Sequence, residues 1–212
     1  MAERCPKVPM PSLNRLPLYY RYLLDAREQR LPVVSSEMLG DAAGVPAAQV
    51  RKDLAYLGEF GRPGVGYDVV EMQRKLADLL GLSVQKDVIV VGAGRLGSAI
   101  SAYRGFATYS MRIVAIFDID PAKIGTIVGG MEVLDAARLP RVDREHSIQV
   151  AILAVPASAA QQVAEVLVQS GVVAILNFAP VRLDVSPGVI VSNEDLAARL
   201  ATLSFRMIHG KG

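Results

Sequence analysis

Residues 87 to 97 read Asp87-Val-Ile-Val-Val91-Gly92-Ala93-Gly94-Arg95-Leu96-Gly97, a β-branched run that passes into a G-x-G-x-x-G turn and then a helix. In that order the first glycine permits a sharp turn, the second lets a pyrophosphate approach the backbone, and the third allows close helix-to-strand packing. The helix N-terminus adds amide donors and positive potential. A second strand ends in Phe117-Asp118-Ile119-Asp120, and Asp118 stands 21 positions after Gly97. A carboxylate there accepts the adenosine ribose hydroxyls and repels a 2′-phosphate, which favours NAD over NADP. Gly92, Ala93, Gly94, Arg95, Leu96, Gly97 and Asp118 are therefore the expected cofactor-binding residues.

Toward the C-terminus, β-branched runs alternate with helical segments. Strands are predicted over Val88–Val91, Arg112–Phe117, Ile148–Val155, Val172–Asn177 and Val189–Ser192. Between them lie helices over Leu96–Phe106, around Ala122–Ile124, within Asp135–Glu145 and over Ala157–Gln169. The alternation implies an α/β fold, a Rossmann-type doubly wound parallel sheet, over residues 85–192. A last helix, Asn193–Met207, carries Leu196, Leu200 and Leu203 on one stripe with no further strand to cover. Residues 193–212 form this helix and a tail.

Toward the N-terminus the texture is helical. Residues 1–14 hold Pro6, Pro9 and Pro11 and read as an irregular arm. A first helix starts near Arg15 with Asn14 as cap, a second runs from Ser35 or Ser36 to Gly44, and a third spans Ala47–Leu57. Gly58 to Tyr67 contains four glycines and a proline, a ribbon of tight turns, and a helix over Val70–Leu80 closes the unit. Three helices followed by a glycine-rich ribbon form a winged helix-turn-helix over residues 1–84. Such a unit puts polar side chains from the early turns of its recognition helix onto base edges and phosphates. Gln49, Arg51 and Lys52 are the candidates on that helix, with Arg15 as a phosphate contact. In the wing, Arg62 could reach the minor groove while Gly64 and Gly66 let the backbone approach phosphates. On composition alone, Arg51 and Lys52 read as a solvated helix face, and it is their combination with the wing that points to DNA.

The chain has 212 residues, 23 Lys plus Arg against 21 Asp plus Glu, and one cysteine. A net charge of +2 says little about nucleic acid, so the argument for DNA is local. The single Cys5 excludes an intrachain disulfide and a cysteine-rich metal cluster. With no apolar run of membrane-spanning length and no apolar leader, a cytoplasmic location is expected. The chain offers no Tyr-x-x-x-Lys pair, and its two histidines, His146 and His209, read as exposed groups without a role. No catalytic or metal-binding residue is assigned. Two alternatives stay open: an NAD-dependent oxidoreductase with a small N-terminal dimerisation domain, and a ligand-binding subunit whose helical domain contacts another protein.

Arg15-Leu-Pro-Leu-Tyr-Tyr-Arg-Tyr-Leu, Val34-Ser-Ser, Gln49-Val-Arg-Lys-Asp-Leu, the Gly58–Tyr67 ribbon, Val91-Gly-Ala-Gly, Ala154-Val-Pro-Ala and Ile175-Leu-Asn-Phe-Ala-Pro180 together resemble the bacterial Rex family of NADH-responsive transcriptional repressors. The resemblance runs from about Leu13 to Phe205. It implies a homodimer with exchanged, domain-swapped C-terminal helices and binding to palindromic double-stranded operator DNA. It implies release when NADH binds, with NAD⁺ competing weakly. It also implies that Tyr103 and the partner's Asp195 form an interdomain contact that changes with cofactor state, and that Pro156 and Asn177 line the rim of the nicotinamide pocket. Arg95 departs from the asparagine common in the family, which leaves its contacts to the nucleotide open.

Overall fold

The computed structural model describes residues 8–58, 61–62, 64–140 and 148–210. The chain divides into two compact units, Met1–Val84 and Gln85–Gly212.

In the first unit, α1 (Met10–Leu13), α2 (Leu16–Glu28), α3 (Ser36–Ala43), α4 (Ala47–Ala55) and α5 (Val69–Leu79) surround Leu16, Tyr19, Leu23, Leu39, Val50, Leu54, Met72 and Leu76, all essentially inaccessible. Ser35 caps α3 by accepting from the Met38 N–H, and Gly44 ends it in the left-handed conformation. The arm before Arg15 is helical over α1 rather than irregular, and Asn14 is its C-terminal residue rather than the cap of α2. A two-stranded antiparallel ribbon, β1 (Val33–Val34) with β2 (Tyr67–Asp68), ties the segment before α3 to the exit of the wing. Two-residue strands carry too little alternation to be seen in sequence.

The second unit is built on β3 (Lys86–Val91), β4 (Met111–Asp118), β5 (Ile127–Val128), β6 (Met131–Asp135), β7 (Val150–Leu153), β8 (Ala174–Asn177) and β9 (Ile190–Asn193). Their order is β5-β6-β4-β3-β7-β8-β9, parallel throughout except for β5 against β6. The six parallel strands follow the 3-2-1-4-5-6 order of the dinucleotide-binding sheet, whose ligand crevice lies where the winding reverses, outside the carboxyl ends of β3 and β7. One face buries Ile89, Val91, Phe117, Ala151 and Leu153 together with Ala160, Ala164 and Leu167 of α7 (Ala157–Gln169). The other buries Val88, Val90, Ile116, Val133 and Ile152. Alternate residues of each strand thus enter opposite cores, which is why these strands read as continuous apolar runs.

Three expectations are corrected. The helix after the glycine turn, α6 (Arg95–Ser101), stops before Tyr103, whose backbone is extended, and a 3₁₀ segment over Arg104–Tyr109 takes its place. The segment around Ala122–Ile124 is a set of turns closed on Asp120, not a helix, because Gly125 at φ +82° ends it after one turn. The segment Asp135–Glu145 opens with a 3₁₀ turn over Ala136–Arg138, and residues 141–147 lie outside the described residues. The hairpin of β5 and β6 was not expected from sequence. Its signal was present as Ile127-Val-Gly-Gly-Met-Glu-Val133, with Gly129 and Gly130 both at positive φ in a two-residue turn.

A Cβ on Gly97 would collide with the carbonyl oxygen of Gly92, so α6 and the end of β3 lie as close as two backbones can. Gly97→Ala is expected to destabilise the second unit by about 1–3 kcal/mol through overpacking, seen as a lowered midpoint in thermal unfolding. A wild-type melt would show that the contact relaxes freely.

Candidate functional site

The carboxyl ends of β3, β4, β7 and β8 meet around the glycine turn. The Gly92 N–H donates to the Phe117 carbonyl at 2.7 Å, and Ala154 N–H to the Val91 carbonyl at 2.8 Å. Gly92 has φ +105°, and any Cβ there would meet the Ala154 carbonyl. Gly94 differs: a Cβ at that position meets nothing within 4 Å. The protein itself does not require glycine at 94, so a group approaching from outside is what a side chain would obstruct. The first turn of α6 leaves the Arg95 and Leu96 amides without intrahelical acceptors and open to an anion. Arg95 and Leu96 are exposed, and Ala93 is buried. These residues fit a dinucleotide pyrophosphate.

Asp118 is 7% exposed at the end of β4. Its Oδ2 accepts from the Ala93 N–H at 2.7 Å and from Lys123 Nζ at 3.0 Å, and its Oδ1 accepts from the Asp120 N–H at 2.9 Å. Burial alone would raise its pKa, but the hydrogen bonds from the Asp120 amide, Lys123 and the Ala93 amide outweigh it and hold the carboxyl below its ordinary range. An ionised acceptor therefore stands beside the turn at neutral pH, as ribose recognition requires.

The two residues assigned to the nicotinamide rim are placed differently from one another. Pro156 is exposed at the N-terminus of α7. Asn177 is fully buried, and its amide group is engaged internally: Nδ2 donates to the carbonyls of Ala179 and Val181 and to Asn193 Oδ1, while Oδ1 accepts from the Ala179 N–H. It therefore shapes the Phe178–Val181 loop: Nδ2 is engaged internally, and Oδ1 keeps one lone pair beyond its bond from Ala179.

In the first unit the organising group is Asp53 on α4, a completely buried carboxylate. Arg15 reaches it with two bonds of 2.6 and 2.7 Å, Tyr19 donates its hydroxyl at 2.7 Å, and Gln49 donates at 2.8 Å from one turn earlier. Arg15 and Gln49, expected on DNA, are thus turned onto Asp53. The reason is desolvation: a buried carboxylate without partners is far costlier than a lost phosphate contact. From sequence Asp53 reads as a surface group, an acid in an otherwise basic helix. Its spacing from Val50 and Leu54 was the available signal for an inward face.

Arg51 and Lys52 remain exposed on α4, and Arg62 is exposed in the wing. Arg51 and Arg62 line a groove of about 730 Å³ together with Ser35, Ser36, Gly64 and Tyr67. Gly64 has open space around it, whereas a Cβ on Gly66 would meet the Val34 carbonyl, so packing within the unit by itself requires glycine at 66. Among the wing residues, 59, 60 and 63 lie outside the description.

The remaining pair, Tyr103 and Asp195, are both exposed. Tyr103 packs edge-on against Phe106 at 5.3 Å, beside a groove of about 610 Å³. Asp195 caps α8 (Leu196–His209) by accepting from the Ala198 N–H. No residue of α8 is buried, and Leu196, Leu200, Leu203, Phe205 and Ile208 are all more than half exposed. No helix of the described residues is long and apolar enough to cross a membrane.

A winged-helix unit with exposed arginines and lysine, carried with a Rossmann unit whose glycine turn and acid are intact, defines a DNA-binding regulator that responds to a dinucleotide. Residues 7–55 match a family model described as "Putative DNA-binding protein N-terminus", and residues 84–181 match one described as "CoA binding domain". The chain is 46% identical over 201 residues to "Redox-sensing transcriptional repressor Rex" of Desulfitobacterium hafniense, covering 95% of this chain and 96% of that one. It is 44% identical to the repressor of the same name from Roseiflexus sp., covering 96% and 92%. Among solved structures, RSP in complex with β-NAD⁺ and operator DNA aligns with a TM-score of 0.87 at 37% identity, covering 96% of this chain and 94% of that chain. RSP with β-NADH aligns at 0.83 and 35% identity, covering 97% and 96%. The chain belongs to the Rex family of redox-sensing transcriptional repressors. It is a regulator and not an enzyme, which removes the oxidoreductase alternative.

Burial pushes the Asp53 carboxyl up, but its bonds from Arg15, Tyr19, Gln49 and Ser12 bring it well below the ordinary carboxylate range. A depressed folded pKa stabilises the protein above the unfolded value of about 4 and loses that contribution as pH falls toward the folded value. The first unit should therefore hold its stability from neutral pH to about 4 and lose it in stronger acid. In Asp53→Asn that acid limb should flatten and the stability at pH 7 drop by on the order of 3 kcal/mol, read by denaturant unfolding at a series of pH values. Equal acid sensitivity in both proteins would remove Asp53 from this role.

Proposed function

We propose that this chain represses transcription by binding palindromic operator DNA as a homodimer through its winged-helix unit, and that it is released when NADH binds the Rossmann unit. The observation that carries the reading is the Ala93–Asp118 bond beside a Gly94 whose face is open, in a chain that also presents Arg51, Lys52 and Arg62 to solvent. Arg51 and Arg62 contact bases or phosphates across the shared groove, Lys52 contacts phosphate, and Gly64 lets the wing backbone approach the DNA. Arg15 and Gln49 act one step back, through Asp53. RSP, the relative solved with β-NAD⁺ and operator DNA and with β-NADH, supports the same three ligands here. The negative charge of Asp118 opposes a phosphorylated ribose, which disfavours coenzyme A and NADP alike.

The exposed stripe Leu196, Leu200 and Leu203 supports exchange of α8 between protomers. The pairing of Tyr103 with the partner's Asp195 follows from that exchange, as both are exposed within one chain. The chain acts in the cytoplasm. At the carboxyl ends of β7 and β8, Leu153 and Ala179 are buried and Phe178 is half-buried. Such apolar surroundings disfavour the cationic nicotinamide of NAD⁺ relative to neutral NADH.

Fluorescence anisotropy of a labelled palindromic operator tests the reading. NADH is expected to weaken DNA binding about a hundredfold, which needs about 2.7 kcal/mol of differential affinity. NAD⁺ should largely spare it, and equal dissociation constants for NADH and NAD⁺ would sink the apolar-pocket explanation. Absence of DNA binding under every cofactor condition would return the protein-partner alternative. Arg51→Ala with Lys52→Ala should weaken binding and lower its salt dependence by about two counterions per protomer, about four for the dimer. An unchanged salt slope would take both residues off the DNA.

A further inference from the structure

Asp118 cannot receive a ribose diol unaided. A carboxylate oxygen offers two lone pairs. On Oδ2 both are taken, by the Ala93 amide and by Lys123 Nζ, and on Oδ1 one is taken by the Asp120 amide. One acceptor position remains for two hydroxyls. The other group at the site is the Lys123 ammonium, which is partly exposed, bonded at 3.0 Å to Asp118 Oδ2 and 3.6 Å from Asp120 Oδ2. The longer contact is electrostatic rather than a hydrogen bond, so the ammonium keeps donor capacity for a ribose oxygen. The three side chains sum to one negative charge, which repels a phosphate. Without Asp118 the sum is zero, and a cation stands where the carboxylate had neutralised it.

We propose that Lys123 determines the dinucleotide this chain accepts. Held by Asp118 it donates to a ribose hydroxyl of NADH, and released from Asp118 the same ammonium receives a ribose 2′-phosphate. The proposal rests on the reading of the Rossmann unit as an NADH site. It assigns discrimination to an acid and lysine acting together, rather than to repulsion by the acid alone.

The test is titration of the full-length chain with NADH and with NADPH, followed by reduced-nicotinamide fluorescence, for wild type, Lys123→Gln, Asp118→Ser and the double variant. Thermal unfolding checks the fold of each, and Lys123→Gln alters only a partly exposed side chain, so its result stands even if Asp118→Ser unfolds. Wild type should prefer NADH, and Lys123→Gln should bind NADH about tenfold more weakly without gaining NADPH. Asp118→Ser should gain about tenfold or more in affinity for NADPH, and the double variant should lose that gain. Equal NADPH affinity of Asp118→Ser and the double variant, or unaltered NADH binding by Lys123→Gln, would overturn the proposal while leaving the NADH site intact. A folded wild type that binds neither dinucleotide would overturn the parent reading and this one with it.

Discussion

The closeness of two backbones, Gly92 at the end of β3 and Gly97 in α6, sets the geometry of the whole second unit. A single Cβ at Gly97 would push the helix off the strand. Because the helix sits so near, its first amides face the carboxyl end of the sheet, and the crevice opens where the winding reverses. Gly94, with empty space before it, leaves the approach clear. Asp118 then locks the neighbouring strand end to the same turn through the Ala93 amide. Turn, helix and acid thus form one rigid receptor whose parts constrain each other.

The first unit uses a buried carboxylate in a comparable way. Asp53 joins α4 to Arg15 and Tyr19, so the helix that presents Arg51 and Lys52 is held in a fixed rotation about its own axis. Charge-assisted bonds of this kind are short and directional, and they tolerate less sliding than aliphatic packing does. The polar face of α4 is therefore divided: Gln49 and Asp53 face inward to the network, while Arg51 and Lys52 face outward. Such stiffness fixes which side chains of α4 face solvent.

Both units handle their ionisable groups by pairing rather than exclusion. Asp53 and Asp118 are each more than nine-tenths buried, and each carboxylate is held ionised by three or more donors. One serves position and the other is available to a ligand, and the difference lies in what remains unpaired. Asp53 is enclosed by its partners. Asp118 keeps one acceptor position beside the open glycine turn and shares Lys123 with Asp120.

The glycine turn, the alternation of strands and helices and the helix-turn-helix with its ribbon were all legible in the chain, because each is encoded by neighbours close in sequence: φ-permissive residues, apolar periodicity and caps. The apolar stripe of the final helix was legible for the same reason. The Gly129–Gly130 hairpin carries a local signal too, and β6, the third parallel strand in chain order, is not among the strands predicted from sequence. What folding alone settled is which polar side chains point inward. Arg15 and Asp53 are 38 residues apart, Asp118 and Ala93 are 25 apart, and Asn177 reaches Asn193 across 16. No local pattern encodes such meetings. They arise because a buried polar atom must find a partner wherever the chain brings one, and the cost of leaving it bare outweighs the surface role that its residue type suggests.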